Sequence, residues 1–499
     1  MPVRGRGTQR PLFLVQGGGD LHFPVLAAQL DPDIPLHALP AIAPGDTQPR
    51  TLEERASGLL DVLRAVQPRG PYRLAGGSFG GVLAYELAIQ LIGLDERVEF
   101  LALIDTVLPR RLELLRHLEQ ASLGTALDHE SAQAYALAHY RVFPIPLPVH
   151  LFVASEPAHS GYLGWDAVLP AARLHAVAVP GKPGRLMQAP YVQALGSALD
   201  DALRALAAPA VVSARSAGHQ ALLTIQGGRA GQTPVFCVPG AGDGVTRFIG
   251  LADALGPTWP MHGLQPRGLD GQQVPFGSVE TAAAAYLDAI DAMHDGAALH
   301  LIGHSFGGWI AFEMASRLRA RGRPVASLTL IDSEAPEAGG VLGRPYTATA
   351  VLERLIAAME AATGRMLDID LAVLRAQDEA TQMGLLHAGM VGAGLLPPRA
   401  APEIMAGPLR AFGSALRTRY QPQHGYDGPV RLVRAEALAP GRDVQQPGQH
   451  EMSEGWRRYA PDLEVWQGPG HHFSILKPPH VQRLARWWDN SLQVAHGPV

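Results

Sequence analysis

Residues 303–307 read GHSFG, a serine framed by glycines, and the frame recurs at 76–80 as GGSFG. A serine hydroxyl is a weak nucleophile until an imidazole takes its proton, and the imidazole needs a carboxylate to hold its tautomer. The second half of the chain offers all three groups. Asp332 ends the apolar run LTLID, 27 residues after Ser305, and the pair His471 and His472 lies in the loop that follows DLEVW. Such a set can attack an acyl carbon and pass the acyl group on to a second nucleophile.

The oxyanion formed in that attack needs two backbone N–H donors. One is expected from Phe306, directly after the serine, and the other from the early loop VPGAGD, at Ala241. In the first half the equivalents are Phe79 and Gly18, beside Ser78 and Asp105.

These groups need elements that hold them. HLIG reads as a short buried strand, and FGGWIAFEMASRLRARG sets Ile310, Met314 and Leu318 on one helical face, with stop signals at Gly322 and Pro324. A serine between such a strand and helix stands in a tight turn, and its flanking glycines let strand and helix pass closely. The order nucleophile, acid, histidine is that of an α/β-hydrolase. Strand-like runs alternating with amphipathic helices point to a mostly parallel sheet flanked by helices.

The whole unit is written twice. PLFLVQGGGD (11–20) echoes PVFCVPGAGD (234–243), YRLAGGSFGGVLAYELA (72–88) echoes LHLIGHSFGGWIAFEMA (299–315), and FLALIDT (100–106) echoes SLTLIDS (327–333). Ser78 to Asp105 is again 27 residues. The expected organisation is two tandem α/β-hydrolase domains, 1–206 and 221–499, joined by an Ala- and Ser-rich linker at 207–220.

At 499 residues two or three domains are the natural prior, and 47% apolar with 17% charged residues describes a globular chain. A net charge of −5 without basic runs argues against nucleic acid and anionic membranes as partners. The single cysteine, Cys237, sits in the apolar run PVFCV and reads as a buried strand residue. No signal peptide, membrane span, phosphate loop or metal-spaced ligand set is legible, so a cytoplasmic protein without a metal or bound cofactor is expected.

Together FCVPGAGD, GHSFGGWIAFEMA, LIDS and PGHHFSILKPPHV resemble the thioesterase domains that end nonribosomal peptide and polyketide synthetases. The resemblance spans essentially all of 221–499 and, less completely, the first half; paired copies are similar to the tandem terminal thioesterases of some lipopeptide synthetases. It implies a helical lid at about 335–425 and a substrate delivered as a thioester on the phosphopantetheine arm of a carrier protein. Family loops usually read G-x-H-F, which implies His472 as the base. Release then proceeds through an acyl-enzyme on Ser305, by hydrolysis or macrocyclisation. No carrier motif is present, so the acyl donor comes from outside this chain, and the start at MPVRGRG suggests a piece of a longer synthetase.

The first half departs from this pattern. Aligning PGKPGRLMQAPYV (180–192) on PGHHFSILKPPHV (469–481) without gaps sets Pro183 opposite His472. Asp105 to Pro183 is 78 residues, against 140 from Asp332 to His472, so the lid is shortened. The first domain is therefore expected to be a degenerate, inactive thioesterase kept for packing or docking. His22, His159 and His175 are its other conceivable bases, each better read as a loop or core histidine. The rival functions are an editing hydrolase that clears mis-primed carrier domains and a non-catalytic docking module.

Overall fold

The computed structural model describes residues 2–17, 23–40, 50–120, 129–156, 161–206, 219–294, 296–336, 346–437 and 449–495. It divides into two compact units, one of residues 1–217 with 347–349 and 375–382, the other of 218–346, 350–374 and 383–499.

In the first unit the order is β1 (Pro2–Arg4), β2 (Leu12–Gln16), α1 (Phe23–Gln29), β3 (Leu36–Pro40), α2 (Leu52–Val66), β4 (Tyr72–Gly77), α3 (Phe79–Gly93) and β5 (Val98–Ile104). Then come α4 (Arg111–Gln120), α5 (His129–Ala138), β6 (Val149–Ala154), β7 (Leu174–Val179) and α6 (Val192–Ala205). The strands form a seven-stranded sheet, β1-β3-β2-β4-β5-β6-β7, parallel except for β1. Its two faces are buried separately, with Phe13, Tyr72, Tyr85 and Leu101 in one core and Phe100, Phe152, Leu195 and Leu199 in the other. A sheet covered on both faces explains why β5 ends in the continuous apolar run FLALI rather than an alternating one. Helix α2 starts at a capping box: Thr51 Oγ1 accepts from Glu54 N–H, and the Glu54 carboxylate accepts from Thr51 N–H.

The second unit runs β8 (Leu222–Gln226), β9 (Val235–Val238), α7 (Ile249–Leu255), β10 (Met261–Leu264), α8 (Val279–Asp291), β11 (Leu299–His304), α9 (Phe306–Ala320) and β12 (Val325–Ile331). It continues with α10 (Ala348–Thr363), α11 (Leu371–Arg375), α12 (Glu379–Gly392), α13 (Ala406–Arg417), β13 (Val430–Ala435), α14 (Gln449–Arg457), β14 (Leu463–Gly468) and α15 (His480–Ala495). Its sheet, β8-β10-β9-β11-β12-β13-β14, repeats the first one strand for strand, including the antiparallel edge strand. Both sheets are α/β-hydrolase sheets. Ile310, Met314 and Leu318 are buried on α9, as their spacing predicts, and α9 ends where Gly322 takes φ +71° and Arg323 N–H returns to the Leu318 carbonyl. Cys237 is fully buried in β9, and burial pushes its thiol far up from the ordinary value.

The units differ in what is inserted after the acid strand. Between β5 and β6 the described helices are α4 and α5; between β12 and β13 there are α10 to α13, with their own core of Leu352, Ile356, Leu374, Leu386 and Leu409. The sequence periodicity marks α10 and α13 but not α11 and α12. No helix among the described residues is long and apolar enough to cross a membrane.

The topology alone gathers the chemistry. The loops after β9, β11, β12 and β14 all leave the carboxyl ends of parallel strands, where open α/β sheets place their sites. Gly307 is part of that arrangement, because a Cβ there would sit 2.3 Å from the Val238 carbonyl oxygen. Gly307→Ala is expected to destabilise the second unit by about 1–3 kcal/mol or more through this backbone clash. Urea unfolding checks it; an unchanged midpoint would mean that β9 gives way freely.

Candidate active site

Ser305 occupies the turn between β11 and α9 at φ 54°, ψ −126°, and Ser78 repeats it at φ 50°, ψ −122°. A residue with a side chain is strained there and is held by its surroundings. Ser305 N–H donates to the Ile331 carbonyl (2.9 Å), and its own carbonyl accepts from Gly308 N–H (2.9 Å). The strain puts the hydroxyl above the strand ends. Ser305 is partly buried, whereas Ser78 is exposed.

Asp332 follows β12 with φ 45° and is buried. Its Oδ1 accepts from Ala435 N–H at the end of β13 (2.9 Å), and its Oδ2 meets His472 Nδ1 at 2.8 Å. Burial alone would raise the carboxyl, but the hydrogen bond and charge of His472 and the Ala435 N–H more than offset it, leaving Asp332 below the ordinary carboxylate value. His472 reaches Asp332 from the loop after β14 and is partly buried. His471 does something else. Its Nδ1 accepts from Phe473 N–H (3.3 Å) and its carbonyl from Ser474 and Ile475 N–H, so it caps the following turn.

Ser305 Oγ makes no hydrogen bond to His472 among the described residues; bonds of this kind tighten when substrate fills a site. The two loops are joined one residue away, where His304 Nε2 lies 3.1 Å from the His472 carbonyl oxygen. Burial, followed by the neighbouring His472 and Arg247, pushes the His304 imidazole well below its ordinary pKa, so it is neutral.

The loop after β9 runs beside the serine: a Cβ on Gly240 would be 3.2 Å from Ser305 Cβ. Neither the Ala241 nor the Phe306 N–H has an acceptor among the described residues, which leaves both available to an oxyanion. Helix α13 lies against this loop, since a Cβ on Gly242 would be 3.0 Å from Phe412 Cβ. At the end of α10, the Ala362 carbonyl accepts from Lys477 of the histidine loop. No group of His, Cys, Asp and Glu among the described residues could hold a metal ion.

In the first unit the same acid socket has another occupant. Asp105 also has positive φ (47°), and its Oδ1 accepts from Ala154 N–H (3.2 Å), as Asp332 accepts from Ala435. Its Oδ2, however, accepts the backbone N–H of Gly184, next to Pro183, at 2.5 Å. His175 is the second residue of β7, paired with His150 near the start of β6 and stacked on it at 5.1 Å between ring centroids. That is the amino end of the strands, the wrong end for Ser78. Gly18, His22 and His159 lie outside the described residues.

Sequence reasoning missed His304, Arg247 and Gly184. A signal for the first stood in the text, since GHSFG and GGSFG differ only at the residue before the serine. A backbone donor such as Gly184 leaves no side-chain signature.

A profile of the family described as Thioesterase domain matches residues 10–139 and 233–491. Malpibaldin synthetase of Mortierella alpina is 40% identical over 103 residues, 20% of this chain and 2% of the synthetase. Microperfuranone synthase of Emericella nidulans is 38% identical over 128 residues, 25% of this chain and 13% of the synthase. The dimodular nonribosomal peptide synthase of Bacillus subtilis is 35% identical over 109 residues, 21% and 5% of the two chains. The aligned stretches are thus a small part of each relative's length. Among solved structures, the Vlm2 thioesterase domain is 24% identical with a TM-score of 0.39, covering 54% of this chain and 96% of that domain.

Proposed function

Because the chain belongs to the thioesterase domain family, we propose that its second unit releases an acyl or peptidyl chain from the phosphopantetheine thioester of a carrier protein, through an acyl-enzyme on Ser305. The observation that carries this reading is the 2.8 Å contact of His472 Nδ1 with Asp332 beside the strained serine. With Nδ1–H donated to the carboxylate, Nε2 keeps a lone pair for the serine proton. Ser305 Oγ attacks the thioester carbon as His472 takes its proton, and the developing oxyanion is held by the Phe306 and Ala241 N–H groups. Collapse breaks the C–S bond, and His472 returns the proton to the departing pantetheine thiolate. Water, or a hydroxyl or amine of the same chain, then gives up a proton to His472 as it attacks the Ser305 ester, and collapse of that second intermediate breaks the ester C–O bond while His472 returns the proton to Ser305 Oγ. Hydrolysis yields an acid; internal attack yields a ring. The chain's helices α10 to α13 act as the lid, and relatives that are nonribosomal peptide and polyketide synthetases support a carrier domain as the partner. The chemistry requires no metal or bound cofactor.

Mass spectrometry of products from a carrier loaded with an acyl-pantetheine thioester tests this. Free acid or lactone together with free carrier thiol is expected; an acyl group that stays on the carrier would overturn it.

The first unit is read as inactive. Its Ser78 and Asp105 remain, but Pro183 offers no base, and the acid is taken by Gly184 N–H. Ser78→Ala should leave steady-state cleavage nearly unchanged, and a fluorophosphonate should label Ser305 far faster than Ser78. Pro183→His would introduce an imidazole whose socket is already filled, so it should restore at most weak cleavage of small thioesters. Loss of product in Ser78→Ala with Ser305 intact would make the first unit the catalyst.

A further inference from the structure

Two side chains outside the Ser305, Asp332 and His472 set donate to consecutive carbonyls of the histidine loop. His304 Nε2 lies 3.1 Å from the His472 oxygen, and Arg247 Nη2 lies 3.2 Å from the Phe473 oxygen. They arrive from different elements. His304 ends β11, directly before the nucleophile, and Arg247 sits on the 3₁₀ turn Val245–Phe248 that follows the oxyanion loop.

His304 directly precedes the serine turn and touches both the histidine loop and the oxyanion loop. Its ring centroid is 5.0 Å from that of His472, and a Cβ on Gly240 would be 3.3 Å from its Nδ1. Because Nε2 faces a carbonyl oxygen, Nε2 carries the proton of the neutral ring. Nδ1 is then a buried lone pair, and it has no hydrogen-bond partner among the described residues. Such a group costs stability, a penalty that an apolar ring of similar size would avoid. Arg247 repeats the pattern. Its side chain is 10% exposed, and its Nε has no hydrogen bond, with Asp243 Oδ2 at 3.6 Å. What both deliver is a donor to the backbone that carries His472.

The first unit provides the contrast. The residue before Ser78 is Gly77, which has no side-chain donor.

We propose that His304 and Arg247 are positioning residues that clamp the histidine loop at two successive carbonyls and keep the His472 ring aimed between Asp332 and Ser305, and that the first unit, with Gly77 before its serine, lacks the first of these clamps. This rests on His472 being the base. A loop has little regular structure to fix its own backbone, and an ångström of misplacement at a reacting group costs on the order of a hundredfold.

The test uses the full chain with a short acyl-pantetheine thioester, and a fluorophosphonate as a probe of Ser305. His304→Ala and Arg247→Ala should each lower kcat on the order of 10- to 100-fold with KM within about threefold, and should slow labelling of Ser305 in parallel. His304→Gln, whose amide can donate to the same carbonyl, should recover most of the lost rate. If both alanine variants keep native melting temperatures and kcat within about twofold of the parent, the clamp is refuted. It is equally refuted if His304→Gln melts normally but is as slow as His304→Ala, because the ring's shape and not its donor would then matter. Should His304→Ala fail to fold, His304→Gln and Arg247→Ala decide by the same criteria. His472→Ala run alongside separates the two assignments. An inactive His472→Ala beside unaffected clamp variants overturns only the clamp, whereas an active His472→Ala overturns the base.

Discussion

Replacing Ser305 by alanine is expected to lower thioester turnover on the order of a millionfold, the loss seen when a serine hydrolase is deprived of its nucleophile. No other described serine combines the strained junction with an imidazole hydrogen-bonded to the next strand's acid. Ser78 has the junction, at φ 50°, but the donor on its acid is a peptide N–H, which cannot take a proton. What survives in Ser305→Ala should be the rate given by the oxyanion donors and substrate binding, roughly 10³–10⁴ over water. Steady-state kinetics with carrier-bound substrate, and the loss of the covalent mass increment on intact protein, are the measurements. Substantial turnover in the purified variant would defeat the assignment and send the search to Ser78.

His472→Ala should fall to nearly the same level, since a nucleophile and its base act as one unit and their deletions do not add. His471→Ala should keep most of the activity. The adjacent imidazoles have different jobs, one on the Asp332 carboxylate at 2.8 Å, the other accepting Phe473 N–H at 3.3 Å within its own turn. Removing the latter sacrifices one weak local hydrogen bond, about 1 kcal/mol. The opposite ranking of the two variants would show that the wrong member of the pair was chosen. His472→Ala should also retain its melting temperature better than Asp332→Ala, because Asp332 additionally anchors Ala435 N–H.

The duplicated units, the order of their elements along the chain and the elbows were legible because each is written in residue types that the geometry cannot do without. Gly303 and Gly307 are needed where helix and strands meet: a Cβ on Gly303 would lie 2.4 Å from the Gly307 carbonyl oxygen. A run such as LHLIGH can only be a strand buried on both faces. The clamps were hard to read, since His304 and Arg247 reach partners 168 and 226 residues away; only the contrast of GHSFG with GGSFG points to His304, and nothing local marks Arg247 as more than a surface side chain. Helix α11 has only five residues, too few for a helical period to show. His175 lies in a strand, and only its register with His150 tells which end of the sheet it occupies.

The matching torsions of Ser78 and Ser305 separate two kinds of inheritance. The kink belongs to a strand–helix junction, so folding preserves it whether or not a reaction is there to serve. The donor to the aspartate's outer oxygen belongs to chemistry, and there the copies part: an imidazole in one, a peptide group in the other. A survey that recognises working hydrolases by the kinked serine would count this chain twice. One that asks who donates to the aspartate would count it once. The peptide N–H also keeps the Asp105 carboxylate from being an orphan charge, so the fold of the first unit needs no imidazole at that place.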